Sequence, residues 1–392
     1  MSDAVRKGRI ATAVLFLLYG TLIGTWTARI PAVKENLELS DGRLSIALVG
    51  LALGAVTGMQ LSGRLVDRYG SRRIMIPAAL IDGCFLLPVA VAPSLVALTA
   101  ALFAFGVVHG VLNIAMNARG VEVERAAGRP IMSSFHAVYS IGGFLGAVLG
   151  GLAASAGVGP LGTFAIVAVL GAALAGWSLR WSAAMPQPAP DGPAERGGPV
   201  PLSGVLLLGL LALCALVGEG AAADWSTVYL RDSLASTEGF AAAAFAAFFI
   251  AMTAGRLSGD RLAARLGAVR LVRGCGLLAG AGLGTALLVS HPVAGVLGFA
   301  CLGAGLSCVA PQVFSAAGHR NPRRPAQAIA RVASIGWLGF FAWPVLIGGA
   351  AEAVGLPVAL GIPVVLALLV ALAAGALRPA AQPLPDPERT PG

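Results

Sequence analysis

Apolar runs of about twenty residues recur along the chain, separated by short polar or basic connections. Each run is long enough to cross the roughly 30 Å hydrocarbon core of a bilayer as a helix. Charge, proline and glycine clusters bound twelve such runs, at 9–31, 44–64, 74–93, 96–118, 131–156, 160–181, 203–226, 239–258, 268–289, 293–316, 327–350 and 355–377. The pattern predicts an all-α membrane protein with twelve transmembrane helices.

A long polar segment interrupts the pattern near the middle of the chain. Residues 182–202 are rich in Pro and Gly, which predicts a mobile cytoplasmic linker that buries no side chains. The chain therefore divides into an N-terminal six-helix half at 1–181 and a C-terminal six-helix half at 203–378. The Pro-rich residues 379–392 are predicted to form a disordered tail.

The composition agrees with a membrane protein, because 57% of the residues are hydrophobic and 11% are charged. A soluble domain carries about a quarter charged residues, so no large soluble domain fits. The basic residues that produce the net charge of +9 lie mainly in alternate connections, at 6–9, 64–73, 119–129, 256–273, 320–331 and 378. The positive-inside rule then places both termini in the cytoplasm. Contact with anionic lipid accounts for the charge, and no nucleic-acid partner is predicted.

A sequence repeat links the two halves. Gly63-Arg64-Leu65-Val66-Asp67-Arg68 follows the second run, and Gly255-Arg256-Leu257-Ser258-Gly259-Asp260-Arg261 follows the eighth. The two Asp-Arg pairs lie 193 positions apart, which is about half of the chain. Duplicated halves in parallel orientation form two pseudo-symmetric six-helix bundles, an arrangement typical of carriers that rock one half against the other.

The loop after the second run resembles the signature of the major facilitator superfamily, GxxxDRxGxRR. The matching positions are Gly63, Asp67, Arg68, Gly70, Arg72 and Arg73, and the weaker second copy is Gly259, Asp260 and Arg261. The resemblance implies the major facilitator fold and transport by alternating access. An Asp near a helix terminus can pair with Arg beside a glycine turn, so we expect these residues to form a cytoplasmic latch.

Shorter segments resemble a narrower branch of that superfamily, the one that includes a bacterial rhizopine-associated membrane protein. They lie at 115–125, 219–226 and 314–318. The segment 142–151 resembles the superfamily's antiporter motif, but Ala147 stands where that motif has Pro. The fourth run also lacks the mid-membrane Arg found in many proton antiporters. Both departures weaken an efflux function.

Ionisable residues inside the spans are the first candidates for a transport site. A charged side chain near the bilayer centre costs about 2.5–3.5 kcal/mol on insertion scales, so each should pair, become neutral or face a cavity. The candidates are Asp82 near the midplane, His109, His136 and Glu219. The resemblance implies that helices one, four, seven and ten line the cavity, which favours Glu219. Asp82 lies on a helix that is peripheral in the family, where a protonated packing role is the alternative.

Neutral polar and aromatic residues near these positions suit the binding of a polar solute. They are Asn113, Asn117, Tyr139, Gln312 and Trp337. His109 and Asn113 are one helical turn apart and should share a face. We expect Glu219 to couple transport to protons or to bind a cation or a sugar hydroxyl, with a nearby histidine as the other candidate for coupling.

These observations predict a secondary active transporter of a small polar organic solute, coupled to protons and monomeric in the cell membrane. The alternative within transport is an efflux antiporter for a drug or metabolite. A passive channel and an intramembrane enzyme are alternatives of other classes. We find no nucleophile paired with a base and no metal-ligand spacing around the five cysteines, so no enzyme activity and no cofactor is predicted.

Overall fold

A computed structural model describes residues 1–185, 200 and 202–378, and these residues form helices joined by short turns. The N-terminal half contains α1 (Asp3–Asn36), α2 (Asp41–Tyr69), α3 (Ser71–Asp82, continued by Gly83–Leu86 and Leu87–Ala90), α4 (Leu95–Ala127), α5 (Met132–Ser155) and α6 (Pro160–Ser182). The C-terminal half contains α7 (Leu202–Val228, continued by Tyr229–Ser233), α8 (238–266), α9 (268–289), α10 (Pro292–Leu306, continued by Val309–Arg320), α11 (Pro325–Val354) and α12 (Leu356–Ala359, Gly361–Ala373 and Ala374–Leu377).

Helices α8 and α9 lie in one stretch of 52 residues, Glu238–Val289, which as a straight helix would measure about 78 Å. Gly267 breaks it with φ 74° and ψ 158°, a conformation that favours glycine. Gly70 makes the corresponding break between α2 and α3 with φ 91° and ψ 146°. The described residues therefore cross the membrane twelve times, as predicted, in two six-helix bundles.

Small residues set the spacing of the helices within each half. A Cβ atom on Gly54 or Gly58 of α2 would lie 2.1 or 2.0 Å from the backbone carbonyl oxygen of Phe103 or Val107 on α4. In the second half, a Cβ on Gly303 of α10 would lie 2.1 Å from the carbonyl oxygen of Phe248 on α8. Such close backbone packing stabilises the association of helices in lipid, where the hydrophobic effect between helices is weak.

The two halves meet where α2 packs on α11 and α5 packs on α8. The pseudo-twofold axis relates each helix of the first half to the helix six places later in chain order. It carries α2 onto α8 and α11 onto α5, so the two contacts are equivalent. We call the end of the bundle at which Asp67 and Asp260 lie the basic end. The N-terminal segment lies at this end, because the Arg9 Nη2 donates to the Ser134 Oγ at 3.2 Å, and Ser134 also binds Asp260.

The expectation that the linker 182–202 buries no side chains is wrong at its two ends. Met185 and Val200 are 6% and 5% exposed. Arg119 Nη2 donates to the carbonyl oxygen of Met185 at 3.1 Å, and Arg331 donates to that of Val200. At both ends of the linker, the neighbouring helices therefore bury an apolar side chain and bind a backbone carbonyl group. The predictions for 186–199, for 201 and for the tail 379–392 lie outside the described residues.

Candidate transport site

Asp67 joins the two halves at the basic end. Its Oδ1 accepts a hydrogen bond from the Ala326 backbone N–H at 2.9 Å, and its Oδ2 accepts one from the Gln327 N–H at 3.1 Å. Both amides belong to the first turn of α11, whose unpaired N–H groups and positive dipole end favour a carboxylate. The carboxylate of one half therefore caps a helix of the other.

Asp260 makes the equivalent contact in the opposite direction. Both of its carboxylate oxygens accept from the Ser134 backbone N–H at 3.2 Å, in the first turn of α5. Gly259 allows this approach, because a Cβ at that position would lie 2.7 Å from the Ser133 Cβ. Asp260 lies 193 positions after Asp67, and Gln327 lies 193 positions after Ser134, so the repeat in sequence corresponds to a repeat in contact.

Further contacts across the halves lie at the same end. Gln60 Nε2 donates to Ser334 Oγ at 2.7 Å, and Arg125 Nη2 donates to the Gly318 carbonyl oxygen at 2.5 Å. Glu124 accepts from the Ser315 hydroxyl across the interface. Together with the two caps, these contacts close the bundle at the basic end.

The expected pairing of the latch aspartates with arginine is replaced by helix capping. Among the described residues, neither Asp67 nor Asp260 has an ion pair within 4.0 Å. The Arg68 guanidinium lies 5.2 Å from the centre of the Tyr69 ring instead. The arginines of the loop, Arg68, Arg72, Arg73 and Arg261, remain predicted members of the latch. Gly70 makes the tight turn that the signature indicates.

Asp82 and His109 form a buried pair in the N-terminal half. The His109 Nδ1 lies 2.9 Å from the Asp82 Oδ2, and the two side chains are 2% and 0% exposed. Asp82 is therefore neither isolated nor lipid-facing, although it lies on α3. Its second oxygen, Oδ1, has no hydrogen-bond partner among the described residues.

Tyr19 of α1 connects this pair to the interior of the bundle. Its ring stacks on the His109 ring at 3.6 Å between centroids, and its hydroxyl accepts from the Asn113 Nδ2 at 3.0 Å. His109 and Asn113 thus share a face of α4, as their spacing predicts. Asn117 donates to the Asn113 carbonyl oxygen at 2.8 Å, and the Tyr139 ring lies 5.7 Å from the Tyr19 ring.

Glu219 lies on α7 of the C-terminal half and pairs with Arg256. The Arg256 Nη2 lies 3.5 Å from the Glu219 Oε2, and its Nη1 donates to the Ser140 Oγ at 2.6 Å. Ser140 belongs to α5 in the other half, so Arg256 bridges the halves. The Arg256 side chain is 6% exposed and that of Glu219 is 36% exposed, so the carboxylate remains partly accessible.

The remaining candidates are His136, Gln312 and Trp337. The His136 ring lies 5.6 Å from the Phe16 ring and 5.8 Å from the Phe314 ring, so it packs between the halves. Gln312 is 6% exposed. Trp337 is half-buried against the hydrophobic core. The structure thus brings His109, Asn113, Asn117, Tyr139 and Asp82 together around Tyr19, and it places Glu219 in a separate ion pair.

Sequence reasoning missed Tyr19, Ser140 and Arg256. Arg256 belongs to the repeated loop motif, so the sequence groups it with the basic residues of that connection, whereas it is 5% exposed inside the bundle. Arg261 and Arg265 follow Arg256 within nine residues, so the sequence gives no signal that Arg256 lies deeper than they do. Tyr19 lies ten residues from both Arg9 and Arg29, which places it at the middle of the first span. That position is the signal that could have identified it.

Twelve helices in two capped, pseudo-symmetric bundles around a polar interior define a membrane transporter. The Major Facilitator Superfamily model matches residues 11–225. The chain is 37% identical over 344 residues to an uncharacterised transporter of Sinorhizobium fredii, covering 86% of this chain and 89% of that protein. It is 31% identical over 355 residues to the membrane protein MosC of Rhizobium meliloti, covering 88% and 84%.

Among solved structures, the fold is similar to that of FucP, the E. coli fucose:proton symporter, in its outward conformation. The TM-score is 0.79 at 16% identity, with 96% of this chain and 100% of that chain covered. This chain belongs to the major facilitator superfamily, and it is a multi-pass membrane protein.

Proposed function

We propose that this protein is a secondary active transporter that moves a small polar organic solute by alternating access, in symport with protons. The observation that carries the proposal is the reciprocal capping of α11 by Asp67 and of α5 by Asp260. These contacts close one end of a polar interior and consist of hydrogen bonds that can be broken and remade. A carrier needs such a reversible closure at each end in turn.

The basic residues favour a cytoplasmic position for the closed end, because the positive-inside rule applies to the short loops that carry them. Both termini are then cytoplasmic, and the conformation faces outward. The fold similarity to an outward conformation of a superfamily member agrees with this assignment. In this arrangement the half at 1–181 and the half at 203–378 pivot about their interface in one monomer in the bilayer.

The chemistry of the interior favours a neutral solute with several hydroxyl groups. Glu219 and Arg256 compensate each other's charge, so a solute with a full charge would leave one of them unpaired at a cost. Asn113, Asn117 and Gln312 offer donors and acceptors, and Tyr139 and Trp337 offer aromatic faces. We assign Glu219 to hydroxyl binding, because its carboxylate is the more exposed member of its ion pair.

The glycines that suggested an antiporter motif have a packing role in this structure. A Cβ on Gly142 or Gly146 of α5 would lie 2.2 or 2.1 Å from the carbonyl oxygen of Leu17 or Thr21 on α1. This close approach of α5 to α1 does not depend on the direction of transport. The resemblance at 142–151 therefore supports no preference for efflux.

Uptake into proteoliposomes tests the proposal. We expect purified protein to accumulate at least one member of a panel of L-fucose, D-xylose and myo-inositol when the outside is made acidic, and to lose this accumulation with a protonophore. Empty liposomes are the control for leakage. Equal flux with and without the pH gradient, rising linearly with solute concentration, would indicate a channel and contradict the proposal.

A further inference from the structure

A cavity of about 250 Å³ lies between the two halves at the basic end. One wall belongs to α2 and the other to α11, and the polar side chains that line it are Gln60, Arg64, Gln327 and Arg331. No acidic residue of the described chain is among its lining residues. The volume is several times the roughly 30 Å³ that one water molecule occupies in the liquid, so the cavity has room for a small group of atoms.

Arg64 provides the first positive charge of the cavity. The residue is exposed, and it forms no hydrogen bond or ion pair with another described residue. A guanidinium group carries five N–H donors and keeps its charge in proteins. All the donors of Arg64 are therefore open to water or to a ligand in the cavity.

Arg331 provides the second positive charge, from the opposite wall. Its Nη1 donates to the Val200 carbonyl oxygen, and its other N–H groups have no partner among the described residues. Gln60 donates one amide hydrogen to the Ser334 Oγ at 2.7 Å and retains the second. A guanidinium fork matches two oxygens of a phosphate group, and the charge strengthens these hydrogen bonds. Guanidinium groups on two opposite walls therefore favour an anion with several oxygens over a neutral ligand.

The nearest acid along α2 does not neutralise the cavity. Asp67 is about one turn beyond Arg64, but both of its carboxylate oxygens accept from backbone N–H groups at the start of α11. Among the described residues, no ion pair within 4.0 Å joins Asp67 to an arginine. The charge of Asp67 thus compensates the helix N-terminus, and the charges of the two arginines remain.

The sequence repeat shows what an arginine at this position binds in the other half. Arg64 and Arg256 both follow the glycine of the repeated Gly-Arg-Leu segment. Arg256 has an acid of its own half, Glu219, within 3.5 Å, and it also donates to Ser140 of the other half. Arg64 has no such acid among the described residues. The N-terminal half therefore presents the arginine without its anion, and the cavity beside it can accept one from outside the chain.

From these contacts we infer that the cavity binds a phosphate group, held by Arg64 of one half and Arg331 of the other. The group belongs either to the headgroup of an anionic phospholipid or to a free phosphate ion, since both present the same oxygens. The site lies outside the proposed solute site and does not depend on which solute is carried.

The site exists only while α2 and α11 are together, because its two walls belong to different halves. A ligand that binds the closed basic end better than the open one shifts the population toward the closed form. Occupation of the cavity therefore holds the basic end closed, in addition to the caps made by Asp67 and Asp260.

Labelling of a buried cysteine tests the inference without a solute. Val121→Cys is introduced after the five native cysteines have been replaced. Val121 on α4 is fully buried, and its methyl groups lie 2.9 Å from the Cβ position of Gly318 on α10. Neither residue lines the cavity. A water-soluble maleimide should reach this cysteine only when the halves separate at the basic end, so the labelling rate measures opening.

Two arms of the experiment separate the two sources of phosphate, starting from protein in a maltoside detergent without phosphate. The first arm compares sodium phosphate with sodium chloride at equal pH and ionic strength. The second compares micelles containing phosphatidylglycerol with micelles containing diacylglycerol, which has the same chains without the phosphate. We expect labelling to slow at least about threefold in one arm or in both, which is the factor given by a ligand at twice its dissociation constant. The arm that responds identifies the source.

Arg64→Gln should abolish this slowing, because it removes the guanidinium that has no other partner. Arg265→Gln is the matched control and should keep the slowing. Arg265 is also an exposed arginine at the basic end without a partner among the described residues, but it does not line the cavity. If Arg64→Gln does not fold, as its melting temperature would show, Arg331→Gln is read by the same criteria.

A slowing that both variants keep, or that both lose, would mean that the general positive charge of this end and not the cavity binds the anion, and it would overturn the inference. A labelling rate that changes in neither arm would also overturn it. The proposed function fails separately, if no panel solute accumulates in proteoliposomes, and that result would leave the labelling data unaffected.

Discussion

At the scale of single residues, the ion pair of Glu219 and Arg256 shows how a charge is kept inside the bundle. Arg256 is 5% exposed and holds Ser140 of the other half as well as Glu219. Removing one member of a buried pair leaves the other uncompensated, which costs more than removing both. The exposure of Glu219 reduces that penalty, because water can solvate its carboxylate.

We therefore expect Arg256→Met to lower the free energy of unfolding by about 1–3 kcal/mol. The double variant Arg256→Met with Glu219→Gln should recover part of that loss, since no uncompensated charge remains. Melting temperatures from fluorescence-detected size exclusion measure both. A double variant that is less stable than Arg256→Met would show that charge compensation is not what the pair supplies.

The sequence predicted which residues are polar inside the spans but not which of them meet. The one-turn spacing of His109 and Asn113 was sufficient to predict their shared face, and both contact Tyr19. The contact of Asp82 with His109 joins two helices, and its formation depends on the rotation of α3 and α4 about their axes. Hydropathy contains no information on that rotation, so the pair could not be derived from the chain alone.

At the scale of helices, glycine contacts fix how closely neighbours approach. We expect Gly58→Ala to lower the free energy of unfolding by about 1–3 kcal/mol, because its Cβ would lie 2.0 Å from the Val107 carbonyl oxygen and the helices must separate. Gly176→Ala on α6 is the matched control, since no heavy atom lies within 4 Å of its Cβ position. Its melting temperature should be unchanged or slightly raised. Equal effects of the two changes would contradict this account of α2 and α4.

Helix positions were predictable because each span requires about twenty apolar residues whatever its neighbours are. The predicted runs 239–258 and 268–289 correspond to α8 and α9, although the helical hydrogen bonding continues through their connection. The ends of the linker 182–202 were not predictable, because single apolar residues such as Met185 and Val200 are buried through tertiary contacts. Their burial depends on Gly8 and on the basic side chains of α4 and α11.

At the scale of the whole molecule, the two caps hold one end closed. Each is worth about 1–2 kcal/mol, as is typical of carboxylates at helix N-termini. We expect Asp67→Asn to increase opening of the basic end roughly fivefold or more. The amide can accept one of the two hydrogen bonds from Ala326 and Gln327, but its NH₂ group faces the other donor.

The rate at which a water-soluble maleimide labels Ala330→Cys measures this opening, because Ala330 is 2% exposed beside Gly63 of α2. Asp260→Asn should accelerate labelling similarly, since it removes the equivalent cap. Asp3→Asn is the control, as Asp3 is an exposed acid near the same end. If Asp67→Asn labels no faster than Asp3→Asn, the caps do not hold the end closed.

The last expectation concerns the movement itself. If transport requires α2 and α11 to separate, a disulfide between Gly63→Cys and Ala330→Cys should reduce solute uptake at least tenfold, and dithiothreitol should restore it. The Gly63 Cβ position is 3.0 Å from the Ala330 Cβ, so a bond needs a shift of roughly half an ångström. Gly8→Cys with Met185→Cys is a matched control, because the Gly8 Cβ position is also 3.0 Å from the Met185 Cβ but neither residue lies in the C-terminal half. Oxidation of the control pair should leave uptake unchanged, since a rigid half moves as a unit. Uptake that continues in the oxidised Gly63 and Ala330 pair would mean that the solute crosses without separation of the halves, and alternating access would be the wrong mechanism for this protein.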